Sequence, residues 1–369
     1  MVELARRPTC LTRPTKHYAL STMHNALSTM NHSPDFDQFL KVLWRKGRPD
    51  HLPFYEHIAS WGFIARRMGV PIDKMPMGSP EFWRIYVDFW LGMGYDCVPM
   101  EIGLNCPLPP RHAGITEGSE AYVVIQSMED YENYPWPDES NPIDFSHFEV
   151  VAKLLPEGAK IVGGVCAGPY EWVSRMMGTI GLSYALADDP ELVGLVFDRI
   201  GRLHHSAVRQ LATMDCIGAL RQGDDLGFKT STFLSPNQLR QHVFPIYRKM
   251  VAEAHNAGKP FILHSCGNLA DVYEDLIATG IDAKHSFEDV ILPVGEFKRQ
   301  YGDRITPLGG LDVDVICRSS EADLRAYARK MIEECFYDGY WAMGTGNSLT
   351  DYMPVENYLA VLDEGRKAR

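Results

Sequence analysis

A histidine and a cysteine two positions apart open the chemical possibilities of this chain. They lie in His264-Ser265-Cys266-Gly267-Asn268, directly after the apolar run Pro260-Phe261-Ile262-Leu263. Residues i and i+2 of an extended segment point the same way, so strand geometry carried through Ser265 gives imidazole and thiol one shared cavity. Zinc takes nitrogen and sulfur ligands tetrahedrally; it would hold the sulfur as thiolate and leave a position for a substrate. The plainer reading is a satisfied core histidine beside an unrelated buried cysteine. Gln222-Gly223-Asp224-Asp225 follows another short apolar run. Adjacent carboxylates there could bind a metal, orient a base or hold a substrate cation, or could form a solvated turn. Glu101, and Glu171 beyond Gly168-Pro169-Tyr170, could bring further carboxylates to the same cavity. Arg175 falls four residues past Glu171, a spacing that on a helix more simply makes a surface ion pair. Gly309-Gly310-Leu311-Asp312 and Gly344-Thr345-Gly346-Asn347 close two later runs. Such turns bind phosphate in some barrels; more commonly they let backbone approach closely around a substrate.

The elements that must position these residues repeat from about residue 48 onward, each a short β-rich run, a turn and an amphipathic helix. The expected strands are Leu52–Tyr55, Asp96–Met100, Lys160–Val165, Ile217–Leu220, Pro260–His264, Ala283–Ser286, Arg304–Gly309 and Tyr340–Met343. Ala283-Lys284-His285-Ser286 is the weakest of them. Asp189 can cap a helix with Pro190 in its first turn, after which Leu192, Val196, Ile200, Leu203, Ala207 and Leu211 recur every three or four residues. Ser235-Pro236-Asn237-Gln238 reads as a capping box, and Ser320 opens a helix that Gly339 can end. Strands alternating with helices imply parallel pairing and right-handed crossovers. Eight such units predict an α/β fold, a single-domain (β/α)8 TIM barrel, in preference to an open doubly wound sheet. The stretch 101–159, with Pro107-Leu108-Pro109-Pro110 and Tyr134-Pro135-Trp136-Pro137, reads as a long, irregular loop insertion after the second strand. Barrel active sites are built from such loops at the C-terminal strand ends.

Composition narrows the function. With 45% hydrophobic and 23% charged residues the chain is an ordinary globular mixture. A net charge of -12 without a Lys/Arg stripe argues against nucleic-acid binding, and no apolar run approaches the roughly 18 residues of a membrane span. The 8 cysteines form no CxxC pair and read as reduced thiols of a cytoplasmic protein. Residues 1–33 are rich in Ser, Thr and basic residues, with Glu3 the lone acid, and Ala19–Met23 recurs as Ala26–Met30. This extension is expected to be disordered or processed, with Met23 and Met30 plausible starts. The folded barrel is expected over 34–369.

Five motifs in order, spread over roughly residues 40–366, carry a resemblance. They are Gly168-Pro169, Gly223-Asp224-Asp225-Leu226-Gly227, His264-Ser265-Cys266-Gly267-Asn268, Gly309-Gly310-Leu311-Asp312 and Pro354-Val355-Glu356-Asn357. With them the chain resembles the uroporphyrinogen decarboxylase superfamily. That superfamily joins metal-free decarboxylases to zinc-dependent methyltransferases that move a methyl group from a corrinoid protein to a thiol such as coenzyme M. The decarboxylases carry closely spaced N-terminal arginines for the substrate's carboxylates, with an Asp, a Tyr and a late His. Here Leu52–Met68 lacks that pattern, Arg66 and Arg67 being adjacent and too far along. Arg175 stands where the Tyr would fall, Asn347 where the His would fall, and Glu101 is left to represent the carboxylate. The methyltransferases bind zinc through a His-x-Cys pair and a later Cys. His264 and Cys266 match the pair, but Asn347 again occupies the later place, so Asp225, Glu101 or Glu171 would have to complete the shell.

The resemblance therefore implies zinc-assisted methyl transfer from a methylated corrinoid, carried by a partner protein, to a small-molecule thiol. Glu101, Glu171, Asp224, Asp225, Arg175 and Asn347 would surround the reaction, with Gly309, Gly310, Asp312 and Gly346 shaping the binding pocket. Barrels of this superfamily often pair, so a homodimer is compatible with it. The alternatives are metal-independent decarboxylation of uroporphyrinogen or a related acid, and a non-catalytic tetrapyrrole- or corrinoid-binding barrel.

Overall fold

The short apolar runs become parallel strands in the structure, a computed structural model that describes residues 33–109, 120 and 123–368. The extension expected over 1–33 lies outside the described residues except for Ser33. Strands β1 (Cys97–Gly103), β2 (Lys160–Cys166), β3 (Ile217–Gly223), β4 (Phe261–His264), β5 (Ala283–His285) and β6 (Thr306–Leu308) pair in sequence order, every pair parallel. The first and eighth predicted runs are present as single bridges. Leu308 bridges to Ala342 and Met343 to Phe54, and the Tyr55 N–H donates to the Met343 carbonyl at 2.9 Å. No ladder joins Phe54 to β1 among the described residues.

Packing closes what the ladder leaves open. One inner apolar cluster takes a buried side chain from each of the eight segments: Tyr55, Cys97, Val162, Ala219, Ile262, Ala283, Leu308 and Ala342. Side chains gathered this way from all eight strands are the filled interior of a (β/α)8 barrel. The same cluster contains Phe36, Phe39, Val42 and Leu43 of helix α1 (Phe36–Trp44). Arg45, just past α1, donates to the Asp282 carbonyl and the Thr306 hydroxyl at the starts of β5 and β6. Helix α1 thus plugs the N-terminal end of the barrel and leaves the C-terminal end for a site.

The outer helices follow their sequence signals. Helix α2 (Pro169–Met177) begins straight after Gly168. Helix α3 (Pro190–Ala212) is capped by Asp189, whose carboxylate accepts from the Leu192 N–H at 3.1 Å. It buries Leu192, Val196, Ile200, Leu203, Ala207 and Leu211 as their spacing requires. Helix α4 (Phe244–Asn256) buries Ile246, Tyr247 and Met250 on its inner side. The Ser235 hydroxyl accepts from the Gln238 N–H, yet the Gln238 side-chain oxygen finds no partner, so only half of the expected capping box forms. The helix opened by Ser320 stops at Cys335, ahead of Gly339, because the chain leaves helical geometry at Phe336.

The insertion after β1 is less irregular than expected. It holds the short helices Met128–Asn133 and Ser146–Ala152. Arg199 of α3 pins it, donating to Glu139 at 2.8 Å and to the Pro137 carbonyl at 3.1 Å. Residues 110–119, 121 and 122 of the insertion lie outside the described residues. Among the described residues no helix is long and apolar enough to cross a membrane.

Candidate metal and substrate site at the barrel rim

Register brings the ends of three strands level: Gly223 pairs with His264, and His264 with His285. From there the chain turns into the loops that carry the remaining groups. His264 Nε2 lies 3.5 Å from Cys266 Sγ and 3.8 Å from Asp225 Oδ1. The three donor atoms lie within 4.8 Å of one another. The strand itself ends at His264, yet imidazole and thiol converge as expected. Asp225 is doubly engaged, since its Oδ1 also accepts the Cys266 N–H at 2.9 Å.

This donor set fits zinc. Zinc–nitrogen and zinc–sulfur bonds of ~2.0 and ~2.3 Å at a tetrahedral angle put their donors about 3.5 Å apart, the separation observed for His264 and Cys266. Nitrogen, sulfur and carboxylate oxygen are all zinc ligands, and three of them leave a fourth position open, the arrangement of catalytic sites. Burial and the Asp225 carboxylate push the Cys266 thiol up to about 12. Two polar groups face its sulfur, Asn347 Nδ2 as a weak donor at 3.4 Å and Ser286 Oγ at 3.4 Å, whose proton has the Gly346 carbonyl as acceptor at 3.1 Å. Ser286 holds this position at φ 83, left-handed backbone that costs a non-glycine residue energy and is found where the surroundings demand it.

Beneath the rim lies a second polar layer. His57 stacks on His264 with ring centroids 3.7 Å apart and an 11° interplanar angle. His57 Nε2 is 3.7 Å from Glu101, and Glu101 pairs with Arg221 Nε at 3.1 Å. Burial pushes Glu101 up to about 7 although Arg221 pulls it back. The Arg221 guanidinium also donates to the His57 carbonyl. Glu56, likewise pushed up to about 7 by burial, accepts from the Thr345 N–H, the Thr345 hydroxyl and Tyr358. Lys284 is fully buried and donates to the Ser286 carbonyl at 2.5 Å; burial lowers it to about 8.

The residues predicted from sequence divide between these surroundings. His264 and Asn347 face the Cys266 sulfur, and Asp225 accepts the Cys266 N–H beside them. Glu171, Arg175 and Asp225 line a cleft of about 310 Å³ with Tyr170 and Phe233, and Arg175 pairs with Glu171 at 3.5 Å, as the i,i+4 spacing allows. Gly346, Asn347 and Asp312 line a neighbouring cleft of about 660 Å³. Asp312 also caps the helix Val313–Arg318, accepting from the Val315 N–H. Gly309 and Gly310 serve as close backbone approaches: both have positive φ, and a Cβ on Gly309 would stand 2.2 Å from the Thr345 carbonyl oxygen. Asp224 turns the other way from Asp225. It is fully buried and accepts from the Tyr170 and Glu171 N–H groups that open α2 and from Tyr247 of α4.

Sequence reasoning missed His285, Lys284, Ser286, His57, Glu56 and Arg221. The signal for four of them was present. Lys284, His285 and Ser286 are the polar residues that made the sixth run look weak, and His57 lies just past Leu52–Tyr55 much as His264 ends its own strand. Arg221 carried no signal, because an arginine inside an apolar strand usually faces out.

Comparison with known proteins agrees with this architecture. The family model described as Uroporphyrinogen decarboxylase (URO-D) matches residues 114–368. A uroporphyrinogen decarboxylase from Thioalkalivibrio sulfidiphilus is 27% identical over 184 residues, covering 47% of this chain and 51% of that protein. The match thus spans about half the length of that relative. Among solved structures, a methyltransferase from Methanosarcina mazei superposes with a TM-score of 0.65 at 15% identity, covering 89% of this chain and 97% of that one. A (β/α)8 barrel with a donor cluster on its C-terminal rim is thus the class to which fold and site belong. Within that class, the chain belongs to the uroporphyrinogen decarboxylase family.

Proposed function

We propose that this chain is a methyltransferase that takes up zinc on His264, Cys266 and Asp225 and methylates a small thiol, with a methylated corrinoid on a partner protein as donor. The observation that carries the reading is the convergence of an imidazole nitrogen, a thiol sulfur and a carboxylate oxygen within 4.8 Å at the open end of the barrel. The shared fold with a methyltransferase from Methanosarcina mazei adds support. Zinc bound there would act as a Lewis acid, making a substrate thiol acidic enough to react as thiolate near neutral pH.

The chain's own groups then have definable tasks. Asn347 directs a donor at the Cys266 sulfur and stabilises it as an anion, while Ser286, whose hydroxyl donates to the Gly346 carbonyl, packs against the same sulfur. Glu171 is pushed up by burial and by Asp225, which suits it to take the proton that the substrate thiol gives up. The cleft lined by Tyr170, Glu171, Arg175 and Phe233 shares Asp225 with the donor cluster, so a thiol seated there reaches the rim. A methylated corrinoid, as donor, would supply the methyl group to the thiolate sulfur and keep the electron pair of the bond it gives up.

The test is incubation of the zinc-loaded full chain with methylcobalamin and a panel of small thiols. Loss of the methylcobalamin spectrum with formation of a thioether is the expected result. No transfer to any thiol, with zinc absent from the purified protein, would reject the reading.

A second reading is favoured by the name of the curated relative and by the buried Glu101–Arg221 pair beneath the rim. It is metal-free decarboxylation, with Glu101 as the acid. Release of carbon dioxide from uroporphyrinogen, unaffected by chelators and by Cys266→Ala, would establish it instead.

A further inference from the structure

His285 ends β5 beside His264, its register partner across the ladder. Their Nδ1 atoms lie 2.7 Å apart, and His285 Nε2 lies 3.1 Å from the Thr345 carbonyl oxygen. A carbonyl oxygen can only accept, so the proton of His285 sits on Nε2. A neutral imidazole carries one N–H, which leaves His285 Nδ1 as a lone pair. The 2.7 Å contact must then be made by a proton on His264 Nδ1. What remains on His264 is a bare Nε2, and this is the nitrogen that faces Cys266 and Asp225.

The surroundings hold both rings to this pattern. His264 and His285 are 6% and 0% exposed. Neither ring is open to water, and a charged imidazolium sealed there without a hydrogen-bonded carboxylate partner would cost far more than a neutral ring carrying one N–H. Rotation is also blocked. Tyr55 stands edge-on to His285 at 5.4 Å, and His57 stacks on His264. The Thr345 backbone is itself fixed from the other side, because its N–H and hydroxyl both donate to the buried Glu56.

We propose that His285 is a positioning residue: anchored on the Thr345 carbonyl, it holds His264 as the Nδ1–H tautomer and presents the Nε2 lone pair to a divalent cation before the cation arrives. Partners of this kind orient metal-ligating histidines and raise their basicity. The identity of the cation rests on the function proposed above, whereas the tautomer is a property of the metal-free chain. Without His285, His264 must choose between tautomers, and the one with Nε2–H has its lone pair on Nδ1, away from Cys266 and Asp225.

The experiment uses 15N-histidine-labelled full chain, free of metal. The wild-type protein should show His264 protonated at Nδ1, with a 15N–15N coupling across the hydrogen bond to His285. Assignment follows from the signals lost in His264→Gln. Cobalt(II) titration, read by sulfur-to-cobalt charge-transfer absorption, supplies the second arm. His285→Phe removes the acceptor and should weaken cobalt binding roughly 10–100-fold, the range for outer-shell partners of metal ligands. His285→Asn keeps an acceptor oxygen near the place of Nδ1 and should restore most of the affinity. A His264 protonated at Nε2 in the wild-type protein would overturn the proposal, as would His285→Phe with unchanged tautomer and unchanged cobalt affinity. Should the wild-type chain bind no cobalt, the metal reading fails, and the coupling measurement alone decides for or against the relay.

Discussion

The two ends of the barrel treat their buried polar groups in opposite ways. At the N-terminal end Asp282 accepts from His255 Nε2 at 2.8 Å and from the Phe261 N–H at 2.8 Å, while Arg45 takes up its carbonyl. The Asp282 side chain is 9% exposed, and helix α1 closes over the barrel beside it. At the C-terminal end Asp225 is 44% exposed and leans on His264 and Cys266 without saturating either. Groups that hold the fold are satisfied by the chain itself. Groups kept for chemistry are fixed from behind, by His285, His57 and Ser286, and left open in front. A buried polar group costs free energy unless it is hydrogen-bonded, so the plugged end must satisfy its groups internally, whereas the half-open Asp225 can exchange water for a ligand.

Substitution at the rim should therefore strike function and spare the fold, and the reverse should hold at the plugged end. The largest expected effect is that of Cys266→Ala. Loss of one of three donors should lower metal affinity by more than roughly 100-fold, beyond the cost of an outer-shell change. The thermal midpoint of the metal-free protein should stay close to that of the wild type. Equal metal content in the two proteins would break the comparison.

Next is the pH response of Glu101. Burial raises its pKa to about 7 in the folded chain, against about 4.3 for an unperturbed glutamate. The stability it brings is complete below about pH 4.3 and is lost as pH rises through about 7. Over that window the loss is on the order of 4 kcal/mol. Urea midpoints of Glu101→Gln should depend less on pH between 5 and 8 than those of the wild type. Parallel profiles would place the sensitivity elsewhere, with Glu56 the next group to examine.

Asp282→Ala should show the opposite balance. It strands the buried Phe261 N–H and should cost about 1–3 kcal/mol of stability while leaving metal stoichiometry unchanged. Metal loss in this variant would mean that the two ends are coupled. The smallest effect belongs to Asn347→Ala, which removes one weak donor from the Cys266 sulfur. A change in metal affinity below about tenfold is expected, within the worth of a single hydrogen bond to a charged group. Asn347→Cys places a thiol at the same position and should tighten binding. A weaker site in that variant would show that the position is too far to ligate.

How much of this was legible in the sequence depended on what each residue competes with. Asp189 and the spacing from Leu192 to Leu211 announced α3, since capping and helical periodicity are local. His264 and Cys266 were legible because extended geometry alone makes i and i+2 converge. Asp225 was one of three carboxylates that could join them, and only the tertiary fold separates it from Asp224, its neighbour in sequence. Nothing local distinguishes the two: one caps α2 from the interior, the other faces the cleft. Arg221 was hidden for the same reason, and the signal at His285 showed only as a weak strand. Polar residues in short strands read as weak propensity, whereas here their ladder position sets them under the rim. The plug formed by α1 was equally illegible, because an amphipathic helix does not say which end of a barrel it will cover.

The central claim is that the rim gathers one nitrogen, one sulfur and one carboxylate oxygen around a single zinc ion. X-ray absorption at the zinc edge, on the purified full chain with zinc quantified in the same sample, tests it most directly. The account predicts about one zinc per chain, with a single sulfur scatterer at ~2.3 Å among nitrogen and oxygen neighbours at ~2.0 Å. That sulfur should be absent in Cys266→Ala. Zinc well below one per chain, or a shell without sulfur in the wild-type protein, would contradict it.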